Sequence, residues 1–172
     1  TRNSFFEHVN LVFFSGHLSD KLIQSMLGIL DAGRNYISGS PELDNIDMRL
    51  YFYIPVSDVV AREISHRTYI TSLDFRNGDI TDDGLGQITT MVGLKHLDID
   101  LTRVTDEGLS QLDRLKKLES LTLRQRVTND SLSHLYGLTS LKYLELPKKN
   151  FSQIALDSLQ DALPDCAISI RD

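Results

Sequence analysis

The chain has a single cysteine, four prolines and no tryptophan in 172 residues. One thiol, Cys166, excludes an internal disulfide framework and any cysteine-rich metal site; beside Pro164 it reads as a small buried hydrophobe. No apolar run approaches the roughly 20 residues that a membrane span needs, so membrane insertion is not expected. Basic residues are outnumbered, 18 Lys and Arg against 24 Asp and Glu, for a net charge of −6 and a pI near 5.3. That balance excludes a broad electrostatic footprint for nucleic acid. A glycine-rich phosphate loop, an H-E-x-x-H pair and a paired C-x-x-C are all missing. The chain opens on Thr1 rather than methionine, which leaves room for upstream sequence, and it shows no signal-peptide pattern. The compartment is therefore open, with a lean to the cytoplasm. What is present is the profile of a soluble globular protein, 41% hydrophobic and 24% charged, long enough for one ordinary domain or two very small ones.

The apolar residues repeat. From Ile70, Leu94, Leu118 and Leu141 the chain reads L-x-x-L-x-L, then an apolar residue, then a helix-like i, i+4, i+7 series; these starts are 24, 24 and 23 residues apart. A closing strand over 165–172 carries Ile168 and Ile170. The first 69 residues hold the same signal more faintly, in Leu11, Phe13, Leu18 and Met26 and again in Leu50, Phe52, Val56 and Ile64. Extra residues near 33–47, including Gly39, Ser40 and Pro41, read as an inserted loop. The expected organisation is one domain over 1–172: atypical, capping repeats over 1–69, regular repeats over 70–164, then the closing strand.

Each unit alternates over five positions, as a half-buried strand does, and then switches to helical spacing. A hydroxyl residue stands at every switch: Ser19, Ser57, Thr81, Thr105, Thr128 and Ser152. Such a residue can cap the first helical turn, and the aspartates that follow (Asp20, Asp58, Asp82, Asp106) face the positive end of the helix dipole. The regularity favours helix starts over catalytic hydroxyls. Gly84 and Gly108, just before a buried leucine, point to close packing between units. One strand and one short helix cannot bury their apolar faces alone, so neighbouring units must stack.

The pattern L-x-x-L-x-L-x-x-T-x-V-T-D-x-G-L, clearest at Leu94–Leu109, resembles leucine-rich repeats. It is similar to those of bacterial, planctomycete-type proteins and to the repeat half of F-box proteins. The resemblance implies an α/β solenoid, a curved right-handed superhelix with parallel strands on its concave face and short helices on its convex face. It also implies protein recognition on the concave face. One departure is that Gly16, Gly78, Thr102, Gln125 and Lys149 replace the family's usual Asn or Cys after the strand, so the turns must be satisfied differently. The helical F-box module has no counterpart.

With the leucines inward, the alternate strand residues face outward. The candidate partner-binding residues are Tyr51, Tyr53, Asp74, Arg76, His96, Asp98, Asp100, Arg124, Tyr143 and Glu145. Phe14, Tyr51 and Tyr53 make an aromatic group that either anchors a partner or packs under the insertion. Asp74 and Asp98 share one row; Arg76, Asp100 and Arg124 share the next, where opposite charges on neighbouring strands form an ion-pair ladder. A divalent cation at Asp74, His96 and Asp98, or a Ser-His-Asp arrangement using Ser72 or Ser120, lacks the converging ligands, pocket and oxyanion donors those chemistries need. The expectation is a non-enzymatic, monomeric module without cofactor or metal that binds an unidentified protein or peptide, with a rigid spacer within a longer polypeptide as the alternative.

Overall fold

The computed structural model describes residues 8–13, 25, 27, 28, 31, 47–52, 56–76, 78–99, 103–123, 127–148 and 151–171. Seven strands form one sheet in chain order: β1 (His8–Phe13), β2 (Asp47–Phe52), β3 (Ile70–Asp74), β4 (His96–Asp98), β5 (Ser120–Thr122), β6 (Tyr143–Pro147) and β7 (Ala167–Arg171). Every pairing is parallel, so each strand returns through a crossover. Helices supply the crossovers: α1 (Asp58–Ser65), α2 (Asp82–Ile88), α3 (Asp106–Leu109), α4 (Asn129–Leu132) and α5 (Gln153–Ala162). The short α3 and α4 continue as single 3-10 stretches, Ser110–Arg114 and Ser133–Leu135. The insertion expected near 33–47 lies, up to residue 46, outside the described residues.

Strand register follows the leucine spacing. Leu50, Leu73, Leu97, Leu121 and Leu144 stand in one row, and all five are buried. Burying such a side chain contributes about 1.5–3 kcal/mol. Helix residues close the same core from the other side: Val60 and Ile64, Leu85 and Ile88, Leu109 and Leu112, Leu132 and Leu135. The core is therefore a stack of thin aliphatic layers. Its aromatic portion, Phe52 stacked on Phe75 with ring centroids 5.5 Å apart, sits toward the N-terminal units. Arg67 ties in the chain before β2: Nε and Nη2 donate to Asp31 Oδ1 and Oδ2 at 3.0 and 2.7 Å, and Tyr69 Oη donates to Asp31 Oδ1 at 2.6 Å.

The helices begin at the expected hydroxyl residues, Ser57, Thr81, Thr105, Thr128 and Ser152, each in extended backbone at the N-cap. Their main task differs from the capping expected of them. Thr81 and Ser152 accept from their own first turn, at 3.3 and 3.2 Å, but Ser57 and Thr105 do not. Instead the hydroxyls donate to the aspartate that opens the preceding helix. Thr81 Oγ1 donates to Asp58 Oδ2 at 2.6 Å, Thr105 Oγ1 to Asp82 Oδ2 at 2.7 Å, and Thr128 Oγ1 to Asp106 Oδ2 at 2.6 Å. The threonine backbone N–H fills the second carboxylate oxygen, Thr81 to Asp58 Oδ1 at 2.9 Å and Thr105 to Asp82 Oδ1 at 2.8 Å. Ser152 N–H continues the series to Asn129 Oδ1 at 3.1 Å. A ladder of carboxylates therefore staples one helix start to the next.

This ladder explains the glycine of the T-D-x-G-L element. A Cβ at Gly84 would lie 2.0 Å from Asp58 Oδ1, and one at Gly108 would lie 2.0 Å from Asp82 Oδ1. The third junction carries Ser131 where the others have glycine. There Ser131 Oγ accepts the Thr128 N–H at 3.0 Å, and Asp106 Oδ1 is left buried with no hydrogen-bond partner.

Candidate protein-interaction face

The strand register assembles the outward residues into rows. The first contains Arg49, Ser72, His96, Ser120, Tyr143 and Ala167; the second contains Tyr51, Asp74, Asp98, Thr122, Glu145 and Ser169. Strands about 4.8 Å apart make this seven-strand face about 30 Å across. Of the ten candidate residues, Tyr51, Asp74, Arg76, His96, Asp98, Tyr143 and Glu145 are described. Tyr53, Asp100 and Arg124 lie outside the described residues, as does Phe14.

Asp74 was expected to be exposed, and it is buried, 6% accessible, as is Ser72 beside it. The cause is Arg76. Alternation puts Asp74 on the outer face, but the guanidinium two residues on folds back over it. Arg76 Nε lies 3.0 and 2.9 Å from the two carboxylate oxygens and Nη2 lies 2.6 Å from Oδ2, while the Arg76 backbone N–H donates to Oδ1 at 3.1 Å. The same guanidinium reaches Asp98 Oδ2 at 3.8 Å on the next strand. Among the described residues, then, Arg76 bridges the two aspartates of the second row, where the sequence placed it in the third. Fork-like pairing of this kind holds an arginine in one orientation at little further entropic cost.

Toward the other end the face changes character. Tyr143 is 64% accessible and stands between the small Ser120 and Ala167 of its own row. Beside it Glu145 is half-buried, with Arg171 Nε 3.7 Å from its carboxylate. The described face thus combines one projecting aromatic ring with two side-chain ion pairs already in place. Among the described residues no group of three or more His, Cys, Asp or Glu side chains is arranged to hold a metal ion. None of their helices is long and apolar enough to cross a membrane.

One charged feature was not singled out from the sequence. The residue after each leading leucine forms a column on the strand-start rim, with Lys95, Glu119 and Lys142 around a depression of about 370 Å³. Lys142 Nζ donates to Glu119 Oε2 at 2.6 Å. This bond holds the Glu119 carboxyl below its ordinary value and lifts the Lys142 ammonium above its own. The signal was legible as alternating charge at the repeat period.

Strands and helices in this stacked order define the class: the chain is a leucine-rich repeat protein with an α/β solenoid fold. The leucine-rich repeat family model matches residues 66–88 and 94–112. Among solved structures, an internalin from Listeria monocytogenes superimposes with a TM-score of 0.52 at 19% identity over 74% of this chain. The chain spans about a third of that internalin's length, 35%. No curated protein sequence matches it. Leucine-rich repeat domains commonly serve protein interaction, and the fold is typically non-catalytic.

Proposed function

We propose that the domain is a non-catalytic module that binds a protein or peptide on its concave strand face. The observation that carries this reading is Tyr143, a large ring held 64% accessible on a rigid strand between two small residues. Exposed aromatics of this kind are enriched among the few residues that dominate interface energy. Around it Arg76, His96, Asp98 and Glu145 supply polar contacts from fixed backbone, with Tyr51 and the ion-paired Asp74 beyond; Tyr53, Asp100 and Arg124 extend the set. Preformed ion pairs suit a partner because little side-chain ordering remains to be done on binding.

The test is affinity capture from a cell extract with the intact domain, compared with a Tyr143→Ala, Asp98→Lys variant. Partners that bind the concave face are lost from the variant and retained by a helix-side control, Asp130→Lys, with all three proteins giving the same circular dichroism. Retention by the concave variant with loss from the helix-side control would move the binding face to the convex side.

A further inference from the structure

We propose that the outer edge of β7 takes up an extended, basic peptide segment as an additional strand. This surface lies on the solenoid's end and is separate from the concave face. Among the described residues no strand lies beyond β7. Parallel pairing uses alternate residues: the Ala167 N–H donates to the Lys142 carbonyl at 2.9 Å, and the Arg171 carbonyl accepts from Lys148 N–H at 2.6 Å. The N–H and C=O groups of Ile168 and Ile170 therefore point away from β6, along the open edge. Natural edges are commonly blunted by proline, lysine or an inward charge, and β7, Ala-Ile-Ser-Ile-Arg, has none of these at its centre.

The core is open at the same place. Ile168 and Ile170 pair with Leu144 and Leu146, whose burial is nearly complete, yet Ile168 is only half-buried and Ile170 is 43% accessible. An added strand with apolar residues at alternate positions would cover both.

Charge selects the occupant. Between Lys149 and Arg171 there is no Lys, Arg or His, while Asp157, Asp161 and Asp165 are all exposed. Asp157 flanks the edge by register. It is the fifth residue of α5; the fifth residue of α2, Gly86, faces the following repeat, where a Cβ would lie 2.6 Å from Gln111 Oε1. Gln153 likewise occupies the ladder position that Asp82 uses to hold Thr105 of the next repeat. A second copy joined edge to edge across a two-fold axis would set three aspartates against three, so a basic segment is the better complement. Main-chain bonds provide the affinity in this mode and the alternate side chains provide the choice of partner.

The probe is the synthetic peptide acetyl-Lys-Val-Lys-Val-Thr-Val-Lys-amide, with a counterpart carrying glutamate at each lysine. Amide hydrogen exchange of the unaltered 172-residue chain is followed by NMR. Saturating basic peptide should slow exchange at Ile168 and Ile170 by about tenfold or more, as new strand bonds do, while the acidic peptide leaves them unchanged. An Asp157→Lys, Asp161→Lys variant should reverse the preference, and if it fails to fold the two peptides on the unaltered chain decide. Unchanged exchange with the basic peptide, or equal protection by the acidic one, overturns the proposal. So does a light-scattering mass that rises with concentration in the absence of peptide, which would assign the edge to a second copy.

Discussion

Asp82 and Asp106 hold the same register position in successive repeats and differ in what they receive. Asp82 accepts from both the hydroxyl and the backbone N–H of Thr105, whereas Asp106 accepts only the Thr128 hydroxyl. Its second oxygen is stranded because Ser131 has taken the N–H. Both carboxylates sit at a helix start, so their dipole contributions cancel in a comparison. Asp82→Ala should therefore destabilise by about 2 kcal/mol and Asp106→Ala by about 1 kcal/mol, at the low end for charged hydrogen bonds since the sites are partly exposed. Urea unfolding of the two variants checks the ordering, and equal losses would mean the second bond contributes nothing. Gly108→Ala tests the same joint from its other side. Its methyl group would meet Asp82 Oδ1, so the ladder must shift despite alanine's better helix propensity, a net loss of about 1–3 kcal/mol in the same assay.

At the scale of elements, cross-repeat pairs bind one crossover to the next. Glu119 precedes β5 and Lys142 precedes β6, and their hydrogen bond depresses the Glu119 carboxyl. A carboxylate held below its unfolded value favours the folded state above that unfolded value, and the benefit disappears as pH falls through the folded one. Lys142→Met should raise the Glu119 titration toward the ordinary 4.5, measured by carbon-detected NMR of the carboxyl, with the remaining acid transitions unchanged. The strands and helix starts of this fold were legible in the sequence because the leucine row and the hydroxyl-aspartate step recur at one period. The partner of that step was not. A threonine before an aspartate reads as a local cap, and only parallel stacking brings Thr105 to an aspartate 23 residues earlier. Asp74 shows the corresponding limit on the candidate face: alternation assigns a residue to a side of the sheet, but Arg76 folding over it decides its exposure.

For the whole molecule, the main packing joins each unit to its sequence neighbours: β1 to β2 through β6 to β7, and α1 to α2 onward to α5. Stability in such an array is a chain of nearest-neighbour terms, so a defect acts according to how many interfaces it touches. Leu121, on central β5, is fully buried between Leu97 and Leu144 and belongs to two interfaces. Ile168, on β7, is half-buried and pairs with Leu144 alone among the described residues. Leu121→Ala should cost about 2–5 kcal/mol, while Ile168→Ala should cost about 1 kcal/mol, since part of its side chain already meets water. Their exchange patterns should differ as well. The central substitution should speed amide exchange in the strands on both sides of β5, because losing that layer uncouples the two halves of the stack. The terminal one should speed exchange in β7 and α5 and leave β3 and β4 at their original rates. Equal spread from both variants would mean that the solenoid unfolds as one unit and that its interfaces are too strong to separate.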